Sequence, residues 1–84
     1  MSVIKINANI APKKNKIIFI TTDFIRLDAA LKLADAVQSG GHAKIVIQEG
    51  NVKVNGEKCL QRGKKIHIGD NFEFDNVIYE AQKK

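Results

Sequence analysis

The spacing of apolar residues changes period along this chain of 84 residues, and that change constrains the fold more than any other feature. Between Leu27 and Val37, the residues Leu27, Ala30, Leu31, Leu33, Ala34 and Val37 gather on one face at about 100° per residue, with Asp28, Lys32 and Asp35 opposite. This predicts an amphipathic helix over 27–37. Asp28 falls in its first turn, where the dipole favours an anion, and precedes Lys32 by the four residues of a helical ion pair. Before this helix the period is two. Ile4, Ile6, Ala8 and Ile10 alternate with Lys5, Asn7 and Asn9, and Lys16 to Thr22 is rich in β-branched and aromatic residues. With Ala11-Pro12-Lys13-Lys14-Asn15 as the break, these runs predict an N-terminal strand or hairpin; a tail over residues 1–15 is the competing reading.

Ser39-Gly40-Gly41 stops the first helix, and a second is expected from near Gly41 to Glu49. Ser39 can cap its start, and Gly50 suits the left-handed position just past its end. Ala43, Val46 and Ile47 then share an inner face, leaving Lys44, Ile45 and Gln48 outside. From Asn51 the chain reads as short strands: Val52–Val54, a tight Asn55-Gly56 turn, a return over Lys58–Gln61, a basic turn Arg62-Gly63-Lys64-Lys65, then Ile66–Ile68, Phe72–Phe74 and Val77–Tyr79. The expected class is α+β, two short helices leading into a small, mostly antiparallel sheet. The predicted organisation is an extension over 1–16, one domain over 17–80 and a tail over 81–84.

Composition narrows the function. A chain that is 44% hydrophobic and 27% charged is not disordered throughout. A single cysteine excludes an internal disulfide framework, and no apolar run reaches the ~18–20 residues of a membrane span. With no signal-peptide pattern, a cytoplasmic location is expected. Catalytic chemistry is equally thin. Cys59 lies in a predicted strand, where packing outweighs reactivity, and His42, Cys59 and His67 lack the close pairing of zinc ligands. Ser39 has no nucleophile elbow, the acids form no evident pair, and neither phosphate-loop nor dinucleotide glycine spacing occurs. The expectation is a protein with no enzymatic activity, metal, cofactor or small-molecule substrate.

Charge is the positive signal. Of the formal +5, residues 1–16 carry four lysines and no acid, and residues 51–69 carry Lys53, Lys58, Arg62, Lys64 and Lys65 against Glu57 alone. Such clustering makes nucleic acid the first partner to consider. Gly40-Gly41-His42 would offer backbone amides at a helix start, with Lys44 beside them and Lys53 on the following strand. Arg62, Lys64 and Lys65 crowd one turn, expected to be kept flexible by Gly63, and the arginine suits bidentate phosphate contact. The four Phe and one Tyr fall at apolar positions of strands, so base stacking is expected to be secondary, and structured RNA fits better than a threaded single strand.

The series Phe24-Ile25-Arg26-Leu27-Asp28-Ala29-Ala30-Leu31-Lys32, Ser39-Gly40-Gly41-His42-Ala43-Lys44, Glu49 to Glu57, Arg62-Gly63-Lys64-Lys65 and Gly69-Asp70 resembles the RNA-binding domain named after small-subunit ribosomal protein S-four. The resemblance spans about residues 17–75 and is strongest to small stand-alone bacterial members. It implies a helix pair on a short sheet (the αL motif) and contact with structured RNA, usually ribosomal or transfer RNA, in ribosome assembly, translation or RNA quality control, with the ribosomal subunit as a further partner. By motif position it implicates Arg26, Gly40, Gly41, His42, Lys44, Lys53, Arg62, Lys64 and Lys65. Many relatives carry arginines where Gly40-Gly41-His42 stands here. Two other classes compete: a β-grasp sulfur carrier, although Ala81-Gln82-Lys83-Lys84 replaces the usual terminal Gly-Gly, and a protein-interaction module using Ile45 and the Ile4/Ile6/Ile10 face.

Overall fold

The structure, a computed structural model, describes residues 13–84. The Val3–Ile10 run, its hairpin and the Ile4/Ile6/Ile10 face lie outside the described residues. Seven strands and two helices follow in the order β1 (Lys14–Ile20), β2 (Phe24–Arg26), α1 (Leu27–Leu33), α2 (Gly40–Gln48), β3 (Lys53–Val54), β4 (Glu57–Lys58), β5 (Lys65–His67), β6 (Asn71–Phe74) and β7 (Val77–Lys83). The fold is α+β, as its pattern predicts.

The main sheet has the order β1-β7-β6-β3-β4. Every pairing in it is antiparallel except β1 with β7, which is parallel and runs from Lys14↔Val77 to Ile20↔Lys83. That pairing draws Lys14 to Lys16 and Ala81 to Lys83 into the sheet, because each segment supplies the other's backbone partners. Along β1, Ile18 and Ile20 are buried while Ile17 and Phe19 are half exposed, so an almost wholly apolar run is split by strand alternation.

Both helices end in the same way. In α1 the amide of Ala36 donates to the Leu31 carbonyl (2.9 Å) and that of Asp35 to Lys32 (3.0 Å), with Asp35 at φ 60. In α2 the amide of Asn51 donates to Val46 and that of Gly50 to Ile47, both at 3.0 Å, with Gly50 at φ 80. These are Schellman closures. The first stops α1 at Leu33, short of the predicted Val37; Val37 keeps its buried position from the loop, and Leu33 turns outward. At the start of α2 the Ser39 hydroxyl accepts from the His42 amide at 3.1 Å, the cap expected from sequence.

The core joins Leu27, Ala30 and Leu31 of α1 and Ala43, Val46 and Ile47 of α2 to Ile18, Ile20, Val54, Phe72, Tyr79 and Ala81 of the sheet, with Val52 just ahead of β3. Phe72 and Tyr79 are cross-strand partners whose rings stack with centroids 5.0 Å apart. Burial pushes the Tyr79 phenol above its ordinary pKa.

The expected meander is interrupted. The return strand shortens to Glu57–Lys58, and the Ile66 segment leaves the sheet: β5 pairs with β2, a strand not foreseen from sequence, in a separate antiparallel ribbon. β3 and β6 become neighbours instead. The turns that allow this carry positive φ at Asn55 and Gly56, at Asp75 and Asn76, and at Gly69.

Candidate nucleic-acid interface

The β2–β5 ribbon pairs Phe24 with His67, Ile25 with Ile66 and Arg26 with Lys65. Because side chains alternate across a strand, its two faces differ completely. Ile66 is fully buried and Ile25 packs against the core, while Phe24, Arg26, Lys65 and His67 share the outer, exposed face. An aromatic rung therefore lies beside a cationic rung.

The basic turn is docked onto α1. Arg26 occupies the cap position without a side-chain cap, so the first amides of α1 need other acceptors. The carbonyl of Lys64 accepts from Leu27 N–H at 2.8 Å, and that of Arg62 accepts from Asp28 N–H at 3.1 Å. The amide of Lys64 donates to Gln61 at 3.1 Å. The turn is thus held to α1 by backbone bonds on either side of Gly63. Gly63 lies beneath the Arg26 guanidinium, where an added Cβ would stand 3.6 Å from Nη2.

Asp28 organises the arginines. Its Oδ2 accepts from Arg26 Nη2 at 3.2 Å and lies 3.9 Å from Arg62 Nε, while Oδ1 accepts from the Ala29 amide at 2.8 Å. The side chain is only 17% exposed. The predicted Asp28–Lys32 pair does not form, since both arginines reach the carboxylate from outside the helix. Arg26 and Arg62 thus meet at one carboxylate, Lys65 stands across from Arg26 on the ribbon, and Lys64, also exposed, lines a surface hollow with Val54, Asn55 and Glu57 to Gln61.

The remaining predicted residues lie elsewhere. Gly40, Gly41, His42 and Lys44 are exposed along the first turns of α2; the His42 amide is taken by Ser39, and its Nδ1 accepts weakly from Gln38 N–H at 3.4 Å. Lys53 on β3 faces Lys58 and Glu73 across the strands. Among the described residues, no hydrogen bond or ion pair joins either group to the Arg26–Arg62 cluster.

Sequence reasoning missed Phe24. It is 38% exposed, with Lys65 Nζ 4.8 Å from its ring centroid and the His67 ring tilted at 5.7 Å. Phe19 is exposed too, so the aromatics are not all interior strand residues as expected. The alternation of Phe24-Ile25-Arg26 was the available signal, hidden by its position directly before a helix.

Cys59 packs partly against the core, with Sγ 3.6 Å from the Gln61 carbonyl. Among the described residues no three His, Cys, Asp or Glu gather as metal ligands. Among the described residues no helix is long and apolar enough to cross a membrane.

A family model described as the S4 domain matches residues 18–81. The chain belongs to the S4 domain family. A curated relative from Bacillus subtilis (strain 168), named probable ribosome maturation protein RlbA, is 47% identical over 58 residues, 69% of this chain and 82% of the relative. The resemblance noted from sequence is therefore to the right family, and the exposed cations belong to an RNA-binding fold.

The S4 motifs divide by role in this structure. Asn55 and Asp70 are scaffold: Asn55 Nδ2 donates to Asp70 Oδ1 at 3.2 Å, and Asn55 Oδ1 accepts from Asn71 N–H at 3.0 Å. Asp70 Oδ2 accepts from His67 N–H at 2.8 Å, which is the main cause of its lowered pKa. The Val-Asn-Gly and Gly-Asp motifs thus lock two turns together. The Arg62-Gly63-Lys64-Lys65 motif instead gives its carbonyls to α1 and its side chains to solvent.

Proposed function

We propose that this S4 domain is a non-catalytic module that binds structured RNA, ribosomal or transfer RNA, in ribosome assembly, translation or RNA quality control. The observation that carries the reading is the basic turn docked on α1, which brings Arg62 and Lys65 beside Arg26 and leaves Lys64 exposed in the same turn. Exposed cations crowded on one turn and the adjoining ribbon match phosphates presented by a folded backbone rather than a small molecule enclosed in a cavity. Arg26 and Arg62 are pre-oriented by Asp28, which lowers the ordering cost of a bidentate phosphate contact. The similarity to a protein named for ribosome maturation favours ribosomal RNA as the first substrate to test.

Gly40, Gly41, His42, Lys44 and Lys53 are assigned to outlying contacts, reached only by an RNA long enough to pass beyond the ribbon. The test is ultraviolet cross-linking of the full chain to RNA in cells, with sequencing of the RNA and mapping of the modified peptides. Ribosomal or transfer RNA attached within residues 24–26 and 62–67 is the expected outcome. Recovery of no RNA, or adducts confined to other surfaces, would refute the assignment.

A further inference from the structure

The outer face of the β2–β5 ribbon holds more than charge. Phe24 and His67 form one rung and Arg26 and Lys65 the next, so an aromatic surface adjoins two cations at the distance of two residues along a strand, about 6.6 Å. Resting on the RNA-binding reading above, we propose that Phe24, flanked by His67, is a stacking platform for one unpaired RNA base, whose neighbouring phosphates are taken by Arg26 and Lys65. The preferred RNA is then a folded one that presents a bulged or loop nucleotide, rather than an uninterrupted duplex.

Three observations support a platform rather than a packing role for Phe24. The core-facing position of β2 is already filled by Ile25, and Phe24 shares its face with the exposed Arg26. His67 is held beside the ring, tilted by 51°, because its amide donates to Asp70 Oδ2 and its Nδ1 lies 3.5 Å from the same oxygen. Among the described residues, the cation over the ring is the ammonium of the exposed Lys65. An exposed ammonium–ring contact is weaker than base–aromatic stacking, so an arriving base displaces Lys65 toward the adjacent phosphate. Structured RNA is read chiefly where bases are unpaired, and a single platform beside a cationic rung is the minimum device for that.

The test uses the full chain and two RNAs: a blunt, fully paired duplex, and the same duplex carrying one bulged 2-aminopurine. Wild-type protein should prefer the bulged RNA and quench its fluorescence. Phe24→Leu should lower affinity for the bulged RNA about 5- to 100-fold, as loss of one stacked base does, while binding the paired duplex like wild type. Phe24→Tyr should retain both preference and quenching. Equal wild-type affinity for the two RNAs without quenching overturns the platform but leaves RNA binding intact, as does a Phe24→Leu protein that keeps the preference. If wild type binds neither RNA, both readings fail. Quenching by wild type needs no variant, so the proposal stays testable even if Phe24→Leu melts early.

Discussion

Replacing Arg62, Lys64 and Lys65 together by Ala removes three of the four cations proposed to hold RNA at the turn and ribbon, Arg26 being the fourth, while leaving the turn's backbone in place. The carbonyls of Arg62 and Lys64 that accept from α1 are untouched by side-chain truncation. The structural losses are the Lys65–Phe24 contact and the 3.9 Å Arg62–Asp28 pair, each with an exposed cation and together worth about 1 kcal/mol. A domain of this size should then melt about 4–8 °C lower but remain folded. If each of the four cations neutralises one phosphate, the log–log salt slope of wild-type binding is about −2.8 to −3.6, equivalent to a ~50- to 150-fold loss of affinity between 50 and 200 mM salt. The triple variant retains Arg26 alone, so its slope falls to about −0.7 to −0.9 and the same salt change costs only about threefold. Fluorescence anisotropy with a ribosomal RNA fragment across that salt range measures both slopes. The control is Lys32, Lys83 and Lys84 replaced together by Ala, which removes equal charge elsewhere. An unchanged slope in the site variant, or an equal fall in the control, would show that total charge rather than this surface binds RNA.

Asp28→Ala removes the acceptor of the Ala29 amide and the anchor of both arginines, so it should destabilise by about 1 kcal/mol, read as a lower Tm, while the salt slope stays at its wild-type value. Gly56→Ala should cost about 1–2 kcal/mol in urea unfolding, purely from its φ of 87, because nothing lies within 4 Å of the added Cβ; Gly40→Ala, equally open but at the start of α2, should be neutral or slightly stabilising. The Asp70 carboxyl titrates below its ordinary value when folded, so its stabilisation is present above the unfolded pKa of about 3.9 and is lost as pH falls through the folded value. The stability gap between wild type and Asp70→Asn should therefore narrow from pH 7 to pH 3, and an equal gap at both pH values would disprove this role.

The local elements were legible because their signals lie within a few residues. Ser39, Gly50 and Asn55-Gly56 each act through a backbone hydrogen bond or a positive φ set by near neighbours, and each appears where the pattern predicts. The inner face of α2 was equally clear, since Ala43, Val46 and Ile47 answer to helical period alone. Helix α1 was overextended for an instructive reason: Val37 keeps the period of a helix but reaches the core from a loop, after Asp35 has closed the helix in a left-handed conformation that only its short polar side chain made admissible.

The identities of the cations, too, were visible in the sequence, but not their arrangement. Arg26 and Arg62 are far apart in the chain and meet at Asp28 only because β2 pairs with β5. That pairing, like the parallel union of β1 with β7, spans most of the domain, and no periodicity within either segment specifies its partner. By itself the sequence determined the two-helix α+β class, the caps, the tight turns and the family, because these depend on local sterics and on the order of motifs. Tertiary structure alone decided that Asp28 orients two arginines, that the basic turn is hydrogen-bonded to α1 and that Phe24 faces outward. The reason is physical: helix ends lacking their own cap and strands lacking partners must find hydrogen bonds wherever the fold brings them, and here those distant partners assemble the surface.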